Sequence, residues 1–212
     1  MASDPEPHTE LDLDPPPTGR RLHRAERREQ IVIAATRAFA RSGFAATSLE
    51  DVAGAAGVSR VILYRHFDSK ADLYRAVLDR VCTRLLAACG DHSFTSDAIP
   101  ALVEVAAEDP DGFRLMFQHA AREPEFQTEV SELRAGMTAI AHAELAARVT
   151  DPSWARWAAQ LCPTVAIEGI IAWLDVEQPD PGEAAERIGQ AVEAVIRAAQ
   201  TGGPVPKTRR TR

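Results

Sequence analysis

Few side chains in this sequence are of a type and spacing that could do chemistry. His119 and His142 lie near several carboxylates and could ligate a metal, but their spacing fits no common ligand pattern. The chain holds no His-Glu-x-x-His, no Cys-x-x-Cys, no phosphate-binding glycine loop and no Gly-x-Ser-x-Gly. Neither a metal nor a cofactor is expected, and turnover is not. Cys82 and Cys89, seven residues apart on one helix face, could form a redox switch. On one helix their α-carbons would sit roughly 10 Å apart, beyond the ~7 Å that a disulfide spans. Three cysteines, with Cys162, cannot all pair within the chain, so they read as small core residues of a cytoplasmic protein. What remains is Arg60, directly after Ser59, whose planar fork can donate two hydrogen bonds to guanine. A phosphate contact or free solvent is the competing assignment.

The elements that must position Arg60 come from 212 residues, 45% of them apolar, enough for one large domain or two small ones. Uncharged apolar runs fall short of the ~18 residues of a membrane helix, and the first thirty residues are acidic and proline-rich, so neither a membrane span nor a secretory signal is expected. The net charge of −7 is unevenly laid out: −5 over residues 1–17, 11 basic against 6 acidic side chains over 18–75, 9 against 20 over 76–206, and +4 over 207–212. A basic block beside an acidic one suits a nucleic-acid-binding domain attached to a body with another task, although uneven solvation of helix faces gives the same pattern.

Residues 1–19 have too few apolar side chains to offset the entropy of ordering and read as a disordered acidic, proline-rich tail. From about Arg24, Ile31, Ala34, Ala35, Ala38 and Phe39 repeat at three and four, and Gly43 stops the helix. Thr47 or Ser48 can cap a short helix ended by Gly57, and Ser59 caps another to about Phe67. Ser69 begins a longer helix that ends near Gly90. Five further helices are predicted at about 95–107, 110–121, 124–149, 152–177 and 181–200, punctuated by prolines, with a kink or a helix start at Pro163. No segment alternates for long with period two, so the fold class is all-α with about nine helices. Residues 201–212 read as a disordered basic tail.

Two short helices joined by a tight glycine turn make a helix-turn-helix. Ala56-Gly57-Val58-Ser59, followed by Leu63-Tyr64-Arg65-His66-Phe67 and Ser69-Lys70, strongly resembles the DNA-binding domain of the tetracycline-repressor (TetR) family of bacterial transcriptional regulators. The likeness covers about residues 24–73, and the remainder has the length of that family's ligand-binding and dimerisation domain. It implies a helix-turn-helix domain over 20–75, a helical bundle over 76–200, and a homodimer that holds a palindromic operator in double-stranded DNA and is released by a small-molecule effector. An interaction or redox-sensing protein that keeps the motif only as scaffold is the rival reading.

Taken residue by residue, the helix opening at Ser59 would lie in the major groove with Arg60 at base edges. By resemblance, Thr47, Tyr64, His66 and Lys70 contact phosphates, setting register without naming a sequence; His66 could instead be a packing histidine. Val61 and Ile62 stand where the family often carries small or hydroxylated residues, so a thymine methyl contact replaces a polar one, or Ile62 packs inward. Arg20, Arg21, Arg24, Arg27 and Arg28 could reach phosphates or the minor groove, or be a solvated helix start. The resemblance puts the dimer interface on helices 152–177 and 181–200, where Ala184, Ala185, Ile188, Gly189, Ala191, Val192, Val195, Ile196, Ala198 and Ala199 offer more apolar surface than one core needs. Candidate effector contacts are Leu102, Phe113, Met116, Phe117, His119, Met137, His142, Trp157, Ile167 and Glu168, most of which are equally plain core. Glu168, if buried, would need a cationic partner from a ligand or across the dimer.

Overall fold

A computed structural model describes residues 23–90 and 98–201, and every regular element among them is helical. The expectations for the tails 1–19 and 202–212, and for Arg20 and Arg21, lie outside the described residues. The order is α1 (Arg24–Ala46), α2 (Leu49–Ala55), α3 (Arg60–Tyr64), α4 (Lys70–Cys89), α5 (Ala98–Glu108), α6 (Pro110–Arg114), α7 (Gln127–Leu145), α8 (Pro152–Asp175) and α9 (Pro181–Gln200). Side-chain caps set most starts: Ser48, Ser59, Ser69, Asp109, Asp151 and Asp180 each accept a backbone N–H from the first turn of the helix that follows. Proline occupies the first turn of α6, α8 and α9, where its missing N–H costs nothing.

Three features depart from the sequence reading. Residues 110–122 are not one helix: α6 lasts five residues, Leu115–His119 form a π-helical turn and Ala120–Arg122 a 3-10 turn. Leu115, Met116 and Phe117 are buried in this turn. Likewise Pro124–Phe126 form a separate 3-10 turn ahead of α7, burying Phe126. Pro163 neither starts nor ends a helix; α8 runs through it from Pro152 to Asp175, with Pro163 itself buried. Although α8 is long and apolar enough to cross a membrane, 56% of its most apolar window is buried inside the fold, so here it is the central core helix. At Gly43 the backbone turns to φ 76°, which ends the regular part of α1 as expected, before a last turn to Ala46.

Helices α1 and α4 pack along each other and hold α2 and α3 at one end; α5, α7, α8 and α9 form the body, with α8 against both α7 and α9. One continuous cluster of buried side chains runs from Ile31 through Leu63, Tyr74 and Leu115 to Ile196. Two links tie the ends of the molecule together. Phe39, Phe44, Tyr74 and Phe126 stack edge to face or tilted, with centroids 4.3–6.1 Å apart. Arg80 of α4 pairs with Glu29 of α1 and with Asp109, each at 2.6 Å, while Arg84 pairs with Asp109 at 3.2 Å and with Glu108.

Candidate nucleic-acid interface

The short helix α3 owes its placement to its neighbours. Gly57, at φ 63°, makes the tight turn after α2, and Val58 N–H returns to Ala53 carbonyl at 3.0 Å. Gln30 of α1 donates to Ala56 carbonyl at 2.8 Å, pinning that turn. Leu63 and Phe67 are buried beneath α3 and anchor it from below; Val52 and Ala53 do the same for α2. Ser59 caps the helix by accepting Ile62 N–H at 3.3 Å.

With that face spent on packing, the opposite one stands in solvent. Arg60, Val61 and Tyr64 are exposed, Val61 at 64%. Ile62 is half-buried, so it serves partly as packing. Arg60 is held in place by its surroundings: its Nη1 lies 2.5 Å from Glu50 Oε1 at the start of α2, its Nη2 donates to Tyr64 hydroxyl at 3.4 Å, and its guanidinium lies 5.5 Å from the Tyr64 ring centroid. The Tyr64 hydroxyl, then the Glu50 charge, push the arginine further up its already high pKa range. Glu50 was not singled out by sequence, because nothing local marks a pair formed across a helix crossing ten residues apart.

Beside α3 lies a second basic cluster. His66 is half-buried, and its pKa is lowered, first by burial and then by Arg24, Arg28 and Arg27 of α1. Arg28 also lies 5.0 Å over the Phe67 ring. Lys70 and Thr47 sit differently from the phosphate-contacting roles the resemblance implies. Lys70 Nζ donates to the carbonyls of Phe44 (2.8 Å) and Ala45 (3.2 Å), closing the end of α1, and lies 4.5 Å over the Phe44 ring. Thr47 is buried, its hydroxyl donating to Gly43 carbonyl at 2.7 Å, and the α2 cap falls to Ser48 instead. Neither side chain is displayed as Arg60 and Tyr64 are.

In the body the effector candidates do not converge. Leu102, Phe113, Met116, Phe117 and Ile167 are buried, His119 and Met137 half-buried, and His142, Trp157 and Glu168 exposed. Glu168 therefore needs no buried cationic partner within the chain. Met116 and Met137 do meet, in a groove of about 410 Å³ that Leu78, Cys82 and Leu86 of α4 complete with Leu133 and Ile140 of α7. His142 belongs to another groove, between α7 and α8, with Arg134 and Arg156. Among the described residues no three metal-ligating side chains converge.

Residues 31–77 match the family model described as bacterial regulatory proteins, tetR family. Over 121 residues the chain is 36% identical to the HTH-type transcriptional activator FasR of Mycolicibacterium smegmatis, covering 53% of this chain and 55% of that one. It is 52% identical over 54 residues to the HTH-type transcriptional regulator TtgR of Pseudomonas putida, 26% of each chain. The chain thus spans about half or less of the length of these curated relatives. The fold likeness reaches further: a TetR-like transcriptional regulator from Rhodococcus sp. RHA1 superposes with a TM-score of 0.72 at 19% identity, over 84% of this chain and 99% of that one. Residues 31–77 thus carry the helix-turn-helix of the tetR family of bacterial regulatory proteins, and the all-helical body shares the fold of TetR-like regulators.

Proposed function

We propose that this protein is a ligand-responsive transcriptional regulator, acting in the cytoplasm as a homodimer that represses by holding a palindromic operator. The observation that carries the reading is the displayed edge of α3, with Arg60, Val61 and Tyr64 in solvent above a buried anchor. An edge of this length fits the major groove, where Arg60 would read guanine, Val61 a thymine methyl, and Tyr64 and His66 phosphates. Residues 20–75 would be the DNA-binding unit and 76–200 the sensing and dimerising one. The outer faces of α8 and α9 are the natural partner surface: Ala191, Ala194 and Ala198 are exposed on α9, and small side chains let helices approach closely.

Helix α4 gives the effector a route to the DNA. It packs on α1 and, through Leu78, Cys82 and Leu86, walls the groove holding Met116 and Met137. A ligand there acts only by favouring one setting of α4 over another, and so one spacing of the paired recognition helices. The test is selection of duplexes from a randomised pool, followed by addition of candidate ligands to the bound winner. A palindrome with half-sites about one helical turn apart, released by ligand, supports the reading. Recovery of no preferred sequence overturns it, and a complex that tightens on ligand reverses the sign. That FasR is named an activator makes this sign the decisive arm.

A further inference from the structure

Arg60 does not wait free for DNA. Its fork is occupied at one end by Glu50, 2.5 Å away, and its plane is backed by Tyr64. Both members of the ion pair are exposed, the arginine side chain at 61% and the glutamate at 53%, so the pair is not forced by burial. Five N–H donors belong to a guanidinium, and Glu50 and Tyr64 leave the rest available. Glu50 also stands in the first turn of α2, the helix expected to cross the DNA backbone, where a carboxylate opposes phosphate.

We propose that Glu50 is a specificity-determining residue that acts through Arg60. The inference rests on Arg60 being the base-reading residue and adds what keeps it from being a general anion binder. With one Nη1 and one Nη2 hydrogen engaged, the exposed arginine keeps donors enough for a guanine edge to accept two without breaking the pair. A backbone phosphate offers no such paired edge, and a reach for it that draws the guanidinium away from α2 breaks the pair with Glu50. The pair therefore survives in the cognate complex and is lost in a non-cognate one, so its modest surface energy falls wholly on the wrong sequences.

The experiment measures affinity of the full chain for two duplexes of equal length, one selected from a randomised pool by the wild-type protein and one of scrambled sequence, over a range of salt. Glu50→Gln should tighten binding to the scrambled duplex by roughly threefold and leave its log–log salt slope unchanged, because Arg60 neutralises the same phosphate in both proteins. The selected duplex should gain nothing, so the ratio of the two affinities falls. Glu50→Asp keeps the charge but is a methylene shorter, and should lower the ratio too. An equal gain on both duplexes, or a ratio restored by the aspartate, would show a plain repulsive charge and overturn the proposal. So would a Glu50→Gln effect that persists in an Arg60→Gln background. If Arg60→Gln alone leaves the ratio unchanged, it is the base-reading assignment that fails, independently of Glu50.

Discussion

Tyr74 carries a buried hydroxyl with no hydrogen-bond partner, enclosed by Phe39, Phe44 and Phe126. Burial, and then the Glu123 charge, push its pKa well above the ordinary phenol value. An unsatisfied buried hydroxyl costs about 1–3 kcal/mol, so Tyr74→Phe should raise the melting temperature while keeping the ring stack; a lower one would reveal a partner. Cys162, 1% exposed, has its thiol pushed up to about 11 by burial. Its stabilising contribution is whole below the unfolded thiol value near 8.5 and is lost as pH rises through the folded one. Wild type should therefore lose more stability than Cys162→Ala between pH 9 and 11, by on the order of 2 kcal/mol, and Cys162 should resist thiol reagents until unfolding. For His66 the sign is opposite: burial, and then the arginines of α1, depress its protonation, and a phosphate would restore it. DNA affinity should strengthen as pH falls below the ordinary histidine range, and His66→Asn should remove that trend. Arg60, Val61 and Tyr64 were legible because a cap and a turn fix which face of a short helix is displayed. Between Thr47 and Ser48 the sequence left the cap open, because two hydroxyls in a row compete for it; Ser48 takes it, and Thr47 turns back to the Gly43 carbonyl.

Among the elements, boundaries written in caps and prolines were readable, since the side chain that stops a helix is local to it. Asp180 and Pro181 give α9 its start, and Ser69 and Gly90 bracket α4. The π-helical turn was not readable, because the apolar run Leu115-Met116-Phe117 fits a regular helix equally well and its packing partners, α1 and α4 among them, are distant in sequence. The helix expected at 152–177 does run on through Pro163 without a new start, packing on both sides outweighing the lost hydrogen bond. The turn between α2 and α3 offers a direct test. Gly57→Ala forces a side chain into left-handed backbone at a cost of about 1–2 kcal/mol. Because the turn aims α3, operator affinity should fall more than the loss of stability explains, as read by titration well below the melting point. Removing the cap with Ser59→Ala should cost about 1 kcal/mol and loosen the same helix without moving the turn.

At the scale of the molecule, the basic 18–75 and acidic 76–206 blocks orient the chain in the field of a duplex, attracting one end and repelling the other. Ala194→Arg places a charge on the exposed face of α9, and sedimentation should show the dimer weakened by roughly tenfold or more, a desolvated charge costing at least 1.4 kcal/mol at such an interface. The monomer should remain folded, since Ala194 lies outside the buried cluster. That cluster itself has a further consequence. Because α4 packs on both α1 and α5, and its buried side chains join one continuous cluster, no seam along which the reading head could be cut away appears among the described residues. Hybrid regulators made by grafting this head onto a foreign sensor would have to bring α4 and the aromatic turn at Phe126 along with it, and lineages that trade sensors while keeping their operators should inherit those pieces as a block.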